Sequence, residues 1–123
     1  MARLYHVPLS PFCRKVRLVL AEKKIEAELV EERYWEKDAD FLRRNPAGKV
    51  PVLKLASGPV IAESAAILLL LDDMFPEARL LPPHRSPEHA TAVQWLVFMA
   101  ANIYPAALRY YYPKRHTTDP DPQ

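Results

Sequence analysis

Ser10 stands between a short strand-like stretch and a proline-led run, where its hydroxyl can cap the helix that follows. Cys13, three residues on, is the only cysteine, so it is either a nucleophilic thiol or a small packed side chain. Glu63-Ser64 opens another apolar run. Read plainly, it is a bare helix start with Ser64 as cap. Read chemically, a hydroxyl and amide at a helix N-terminus suit a carboxylate, while the Glu63 carboxylate suits an ammonium group, so the pair is shaped for a zwitterion. Lys49 could meet a second carboxylate, although a lysine beside a turn is more often simply solvated. Val50-Pro51 begins an extended segment, where a trans proline at an edge-strand start is the ordinary expectation. The histidines, His6, His84, His89 and His116, are scattered without metal-ligand spacing, and no metal site is expected.

Composition narrows the classes. Half the 123 residues are hydrophobic and 26% are charged, as in an ordinary soluble domain, with room for one core and a fragment of another. A net charge of +2, with both signs interleaved, gives no support for nucleic-acid binding. One cysteine excludes an internal disulfide and a cysteine-rich zinc site and fits a reducing cytoplasm. The apolar runs Ala65–Leu71 and Trp95–Ala101 fall far short of the ~20 residues that span a bilayer, and the start lacks a signal-peptide core, so no membrane partner is expected. Thirteen prolines against two glycines mostly mark where elements begin and end.

These residues need elements to hold them. Arg3–Val7 reads as a strand, and Ser10 with Pro11 starts a helix to about Lys23. Its apolar face is Phe12, Val16, Val19 and Leu20, with Arg14, Lys15, Arg17 and Glu22 on the wet side. Ala27–Glu32 is a weak strand, and a short helix is expected around Asp38–Arg44. Asn45-Pro46-Ala47-Gly48 makes a turn, and Val50–Leu55 with Pro59–Ala62 a hairpin about Ser57-Gly58. The helix opening at Glu63-Ser64 runs to about Phe75 and is apolar on most sides, so burial on two faces is expected. The order βαβαββα describes a thioredoxin-like α/β fold. Pro76–Arg85 is a linker. Ser86-Pro87-Glu88 then starts a helix with Val93, Leu96, Val97 and Ala100 on its buried side, which Pro105 should kink or end. Asp119–Gln123 resembles a helix opening without its helix, so the chain is expected to be truncated.

Three segments, Ser10-Pro11-Phe12-Cys13-Arg14-Lys15-Val16-Arg17, Asn45-Pro46-Ala47-Gly48-Lys49-Val50-Pro51-Val52-Leu53 and Ile61-Ala62-Glu63-Ser64-Ala65-Ala66-Ile67, together resemble the glutathione S-transferase superfamily. The resemblance covers residues 1 to about 75, and residues 86–112 look like the first helix of that family's all-helical second domain. It implies a thioredoxin-like βαβαββα domain at 1–78, followed at 86–123 by the start of an all-helical domain. The family's remaining helices, which build most of the second-substrate pocket, are absent from this sequence.

What the resemblance implies about chemistry is specific. Glutathione would be the co-substrate, without a metal, and its thiolate would be conjugated to a small electrophile. Ser10 would donate a hydrogen bond to the glutathione sulfur. A free thiol with a pKa of about 8.5 is only a few per cent ionised at neutral pH. Lowering that value by two units needs about 2.7 kcal/mol. A hydrogen bond to a charged group contributes roughly 1.5–3 kcal/mol and a helix N-terminus about 0.3–1 more, so no general base is required. Cys13 is the alternative nucleophile, although it occupies the second slot of a C-x-x-C-type motif whose first slot is serine. Val50-Pro51 resembles the family's cis-proline step, which would turn the Val50 backbone toward the tripeptide. Glu63 and Ser64 would take its γ-glutamyl end and Lys49 its glycine carboxylate. Tyr34 and Trp35 could edge the same site, although packing under a loop is the plainer role, and Tyr110, Tyr111 and Tyr112 could line its second-substrate side or a dimer contact. A homodimer in the cytoplasm is implied for a full-length protein. The alternatives are a non-catalytic interaction protein of the same fold, an inactive fragment, and a glutaredoxin-like reductase, the last weakened by Ser10.

Overall fold

A computed structural model describes residues 1–115, with side chains to residue 111. The Tyr112 side chain, His116 and the helix opening at Asp119–Gln123 lie outside the described residues. The chain divides into two units, Met1–Leu80 and Leu81–Gln123.

In the first unit, β1 (Ala2–His6) is followed by α1 (Pro11–Glu22), which crosses over to β2 (Ala27–Glu31). A single 3₁₀ turn at Tyr34–Glu36 leads to α2 (Ala39–Arg44), then β3 (Val52–Lys54), β4 (Val60–Ala62) and α3 (Ser64–Met74). The four strands form one mixed sheet in the order β2-β1-β3-β4. β1 runs parallel to β2, pairing Leu4 with Leu29, and antiparallel to β3, pairing Leu4 with Leu53. This is the thioredoxin-like α/β fold that the element order predicts, with a 3₁₀ turn the sequence did not announce and hairpin strands shorter than expected.

Alternation along the strands sends neighbours to opposite faces. Tyr5 and Val52 pack with Phe41 of α2, and Val30, Val50 and Ala62 surround them. Leu4 and Leu53, fully buried, point to the other side, where α1 and α3 pack together. α1 buries Cys13, Val16, Val19 and Leu20; of the expected stripe Phe12 is only half-buried, and Cys13, one position on, takes the buried place. α3 buries Ile67, Leu68 and Leu71, while Leu69 and Leu70 are half-buried and Met74 is exposed. Its second apolar face is therefore only partly covered.

A buried ion pair, invisible to periodicity, closes the unit. The Lys23 ammonium lies 2.9 Å from Asp72 Oδ1, both side chains almost without solvent exposure. Lys23 also donates to the carbonyls of Phe75 and Ala78, at 2.7 and 2.8 Å. Three donors thus meet three acceptors. Asp72 Oδ1 accepts in turn from the Leu80 amide at 2.8 Å, so the turn at Pro76–Ala78 is tied to both helices.

In the second unit, Ser86 caps α4 (Pro87–Phe98) by accepting from the His89 amide at 3.1 Å, with Pro87 in the first turn. Pro105 does not end the helix. A π-helical stretch, Met99–Ile103, carries the chain into α5 (Tyr104–Arg115). The Tyr104 amide reaches back to the Met99 carbonyl, and this wider turn accommodates a proline that donates no hydrogen bond. No residue of α4 is buried, and Val97 and Ala100, expected on a covered side, are exposed, because the described residues from Pro87 on form one continuous helix with no second helix of their own unit to cover it. The resulting 25-residue helix, Pro87–Tyr111, is long and apolar enough to cross a membrane by length and composition alone, a test that core helices of soluble proteins also pass.

Candidate functional site

The strand register brings the chemistry-bearing segments to one end of the sheet. Tyr5 pairs with Val52 and Val52 with Ala62. The chain leaving β1 toward Ser10, the chain entering β3 through Lys49-Val50-Pro51, and the chain leaving β4 into Glu63-Ser64 therefore emerge together. The chain leaving β2 reaches Tyr34 and Trp35 from the same end, since His6 pairs with Glu31.

Ser10 is half-buried and caps α1, its Oγ accepting from the Cys13 amide at 3.2 Å. A hydroxyl that accepts one bond keeps its own proton to donate, so capping and donation to a ligand are compatible roles. Its amide donates to Val7 O at 3.1 Å, which closes the turn out of β1. Cys13 itself has no solvent exposure. Its amide serves Ser10 while its thiol packs in the core, away from the accessibility that a reactive thiol needs.

Val50-Pro51 is a cis peptide bond, with Pro51 buried and Val50 half-buried. The turn before it is organised by Asn45. Asn45 Nδ2 donates to Lys49 O at 2.9 Å, its Oδ1 accepts from the Ala47 amide at 3.2 Å, and its carbonyl accepts from the Gly48 amide at 2.8 Å. Gly48 sits at φ +67°, where a Cβ would also press within 3.3 Å of Leu42. The Lys49 side chain is exposed.

Ser64 is the first residue of α3, not its cap. Glu63 holds the cap position at φ 73° and ψ 118°, and its side chain makes no capping bond. Positive φ is uncommon for a glutamate and costs about 1–3 kcal/mol, a cost concentrated at functional sites in folded proteins. It leaves the Glu63 carboxylate exposed above a helix N-terminus whose Ser64 is buried. Tyr34 and Trp35 meet edge to face at 5.2 Å and stay open to solvent instead of packing under a loop, with Arg33 over the Trp35 ring at 5.7 Å.

Sequence reasoning left Arg17 on the wet face of α1. It is half-buried, and its guanidinium turns back to His6 and the loop before Ser10. Periodicity gives no signal for it, because a charged residue between apolar positions looks solvated until its partners are known. Among the described residues, no group of three or more His, Cys, Asp or Glu side chains could hold a metal ion.

Residues 9–74 match the family model for the glutathione S-transferase N-terminal domain. The chain is 32% identical over 111 residues to glutathione S-transferase omega-1 of Sus scrofa, covering 89% of this chain and 45% of that protein. It is 38% identical over 97 residues to FtsZ-localized protein A of Caulobacter vibrioides, covering 75% and 42%. Among solved structures, a glutathione S-transferase from Rhodospirillum rubrum F11 is similar with a TM-score of 0.81 and 34% identity, over 98% of this chain and 56% of that one. Another, from Methylobacterium radiotolerans in complex with glutathione sulfonate, gives 0.77 and 36%, over 93% and 53%. The chain thus spans about half the length of the relatives it matches.

Proposed function

The chain belongs to the glutathione S-transferase family, and from that premise we propose that it binds glutathione at the sheet end where Ser10, Val50-Pro51 and Glu63-Ser64 emerge. The observation that carries this reading is the strand register, which gathers those segments although more than fifty residues separate Ser10 from Glu63. Glu63 takes the γ-glutamyl ammonium, and the Ser64 amide and hydroxyl take its carboxylate. The Val50 backbone meets the cysteinyl unit, and Lys49 meets the glycine carboxylate. Ser10 donates to the sulfur, the thiol proton leaves to water, and the thiolate forms a sulfur–carbon bond with a small electrophile as its leaving group departs with the bonding electrons. Positioning and stabilisation of the thiolate supply the catalysis. Residues 86–112 form the first helix of a helical domain, and the working protein is a cytoplasmic homodimer.

The test is retention of the full chain on immobilised glutathione, followed by turnover of chlorodinitrobenzene with release of chloride. The proposal expects retention that Glu63→Ala loses and Ser10→Ala keeps, with turnover lost in both. Wild type that is not retained would refute it. A second reading, an interaction protein that binds without turnover, is favoured by the exposed apolar helix Pro87–Tyr111 and by a relative named for its localisation with FtsZ. Retention without chloride release would select it.

A further inference from the structure

We propose that Arg17 is the positioning residue for Ser10, its guanidinium gripping the segment His6–Pro8 and so fixing where the hydroxyl stands. The functional half of this inference rests on the role given to Ser10 above. Helical side chains lean toward the N-terminus of their helix, so Arg17, two turns into α1, reaches back to the loop that precedes it. Its Nη2 donates to Pro8 O at 3.0 Å and its Nη1 lies 2.9 Å from His6 Nδ1, with a longer contact of 3.4 Å to Val7 O. Val7 O is also the acceptor of the Ser10 amide, at 3.1 Å. One guanidinium thus holds the start of the turn that delivers Ser10, at the carbonyl that the Ser10 amide also uses. The planar fork is what the geometry uses, and a lysine, as a point charge, replaces only part of it.

Arginine offers donors alone, so His6 Nδ1 accepts and the ring is neutral with its proton on Nε2. His6 is 8% exposed and faces Arg17 from α1 and Glu31 from β2. Burial first, and the Arg17 cation second, hold its pKa below the ordinary histidine value, with Glu31 pulling the other way. Protonation would turn the acceptor into a donor pointed at a cation and release the grip.

The test measures hydrogen exchange in the full chain without glutathione, and then the thiol pKa of bound glutathione. Arg17→Met and the milder Arg17→Lys should lower protection of the Ser10 amide about tenfold, the Leu4 and Tyr5 amides of β1 keeping theirs. With glutathione bound, the thiol pKa should rise by about one unit while its dissociation constant stays within about threefold. Wild-type protection at Ser10 should fall below about pH 6.5. His6→Asn, which keeps an acceptor at every pH, should abolish that fall. Unchanged Ser10 protection in Arg17→Lys, or an equal loss across β1, overturns the positioning role. A wild-type bound thiol pKa that stays near about 8.5 removes the glutathione chemistry, and the exchange measurements then decide the grip on their own.

Discussion

Glu63 combines a backbone cost with an exposed carboxylate, and the two separate experimentally. Glycine adopts φ 73° freely, so Glu63→Gly relieves strain while raising the entropy of the unfolded chain. The expected outcome is stability unchanged or raised by up to about 1 kcal/mol, together with loss of retention on glutathione. Thermal unfolding beside affinity chromatography checks it. A variant that both unfolds early and keeps its affinity would remove Glu63 from the site. The site candidates Ser10, Val50, Pro51, Glu63 and Ser64 were legible as a set through the three-segment resemblance; their local signals alone give a cap, a proline step expected to be trans, and a helix start. Arg17 and His6 were not, because their partnership is made by the return of a helix side chain across a turn, which no spacing rule encodes.

At the scale of elements, the Lys23–Asp72 pair joins the end of α1 to the end of α3 and to the turn beyond it. Lys23→Met removes the cation that faces the buried Asp72 carboxylate, and a loss of about 3–5 kcal/mol is expected in urea unfolding. Replacing both partners by apolar residues should recover most of that loss. Helix α1 was readable almost to the residue, since Ser10 and Pro11 state its start and the apolar stripe its face. The strands of the hairpin proved shorter because pairing, not composition, decides where a ladder stops. Helix continuation through Pro105 was hidden for a related reason: the π stretch that admits the proline is a backbone adjustment without a signature of its own. The long helix exposes Trp95, Val97, Phe98, Met99 and Ile103. Such a surface predicts self-association that rises with concentration and falls in Trp95→Glu, measurable by sedimentation. A monomer at high concentration would contradict it.

For the whole molecule, the pH dependence of stability follows from His6. Its folded pKa lies below the unfolded value, so the unfolded chain binds the proton more readily. The contribution of neutral His6 is therefore complete above about pH 6.5 and is lost as pH falls from there through the lower folded value. Urea midpoints across this window should decline in wild type and decline less in His6→Asn. The same architecture gives the proposed tripeptide site its form: the register turns distant segments into neighbours at one end of the sheet, and α1 and α3 begin at the ends that carry Ser10 and Ser64.

The central claim is that this sheet end holds glutathione as a thiolate through Ser10. Ultraviolet absorbance of glutathione bound to the full chain, titrated across pH, measures it directly. A thiol pKa about two units below the free value of about 8.5, restored toward that value in Ser10→Ala, is the predicted result. Bound glutathione that titrates as the free thiol does, in wild type and variant alike, would contradict the account.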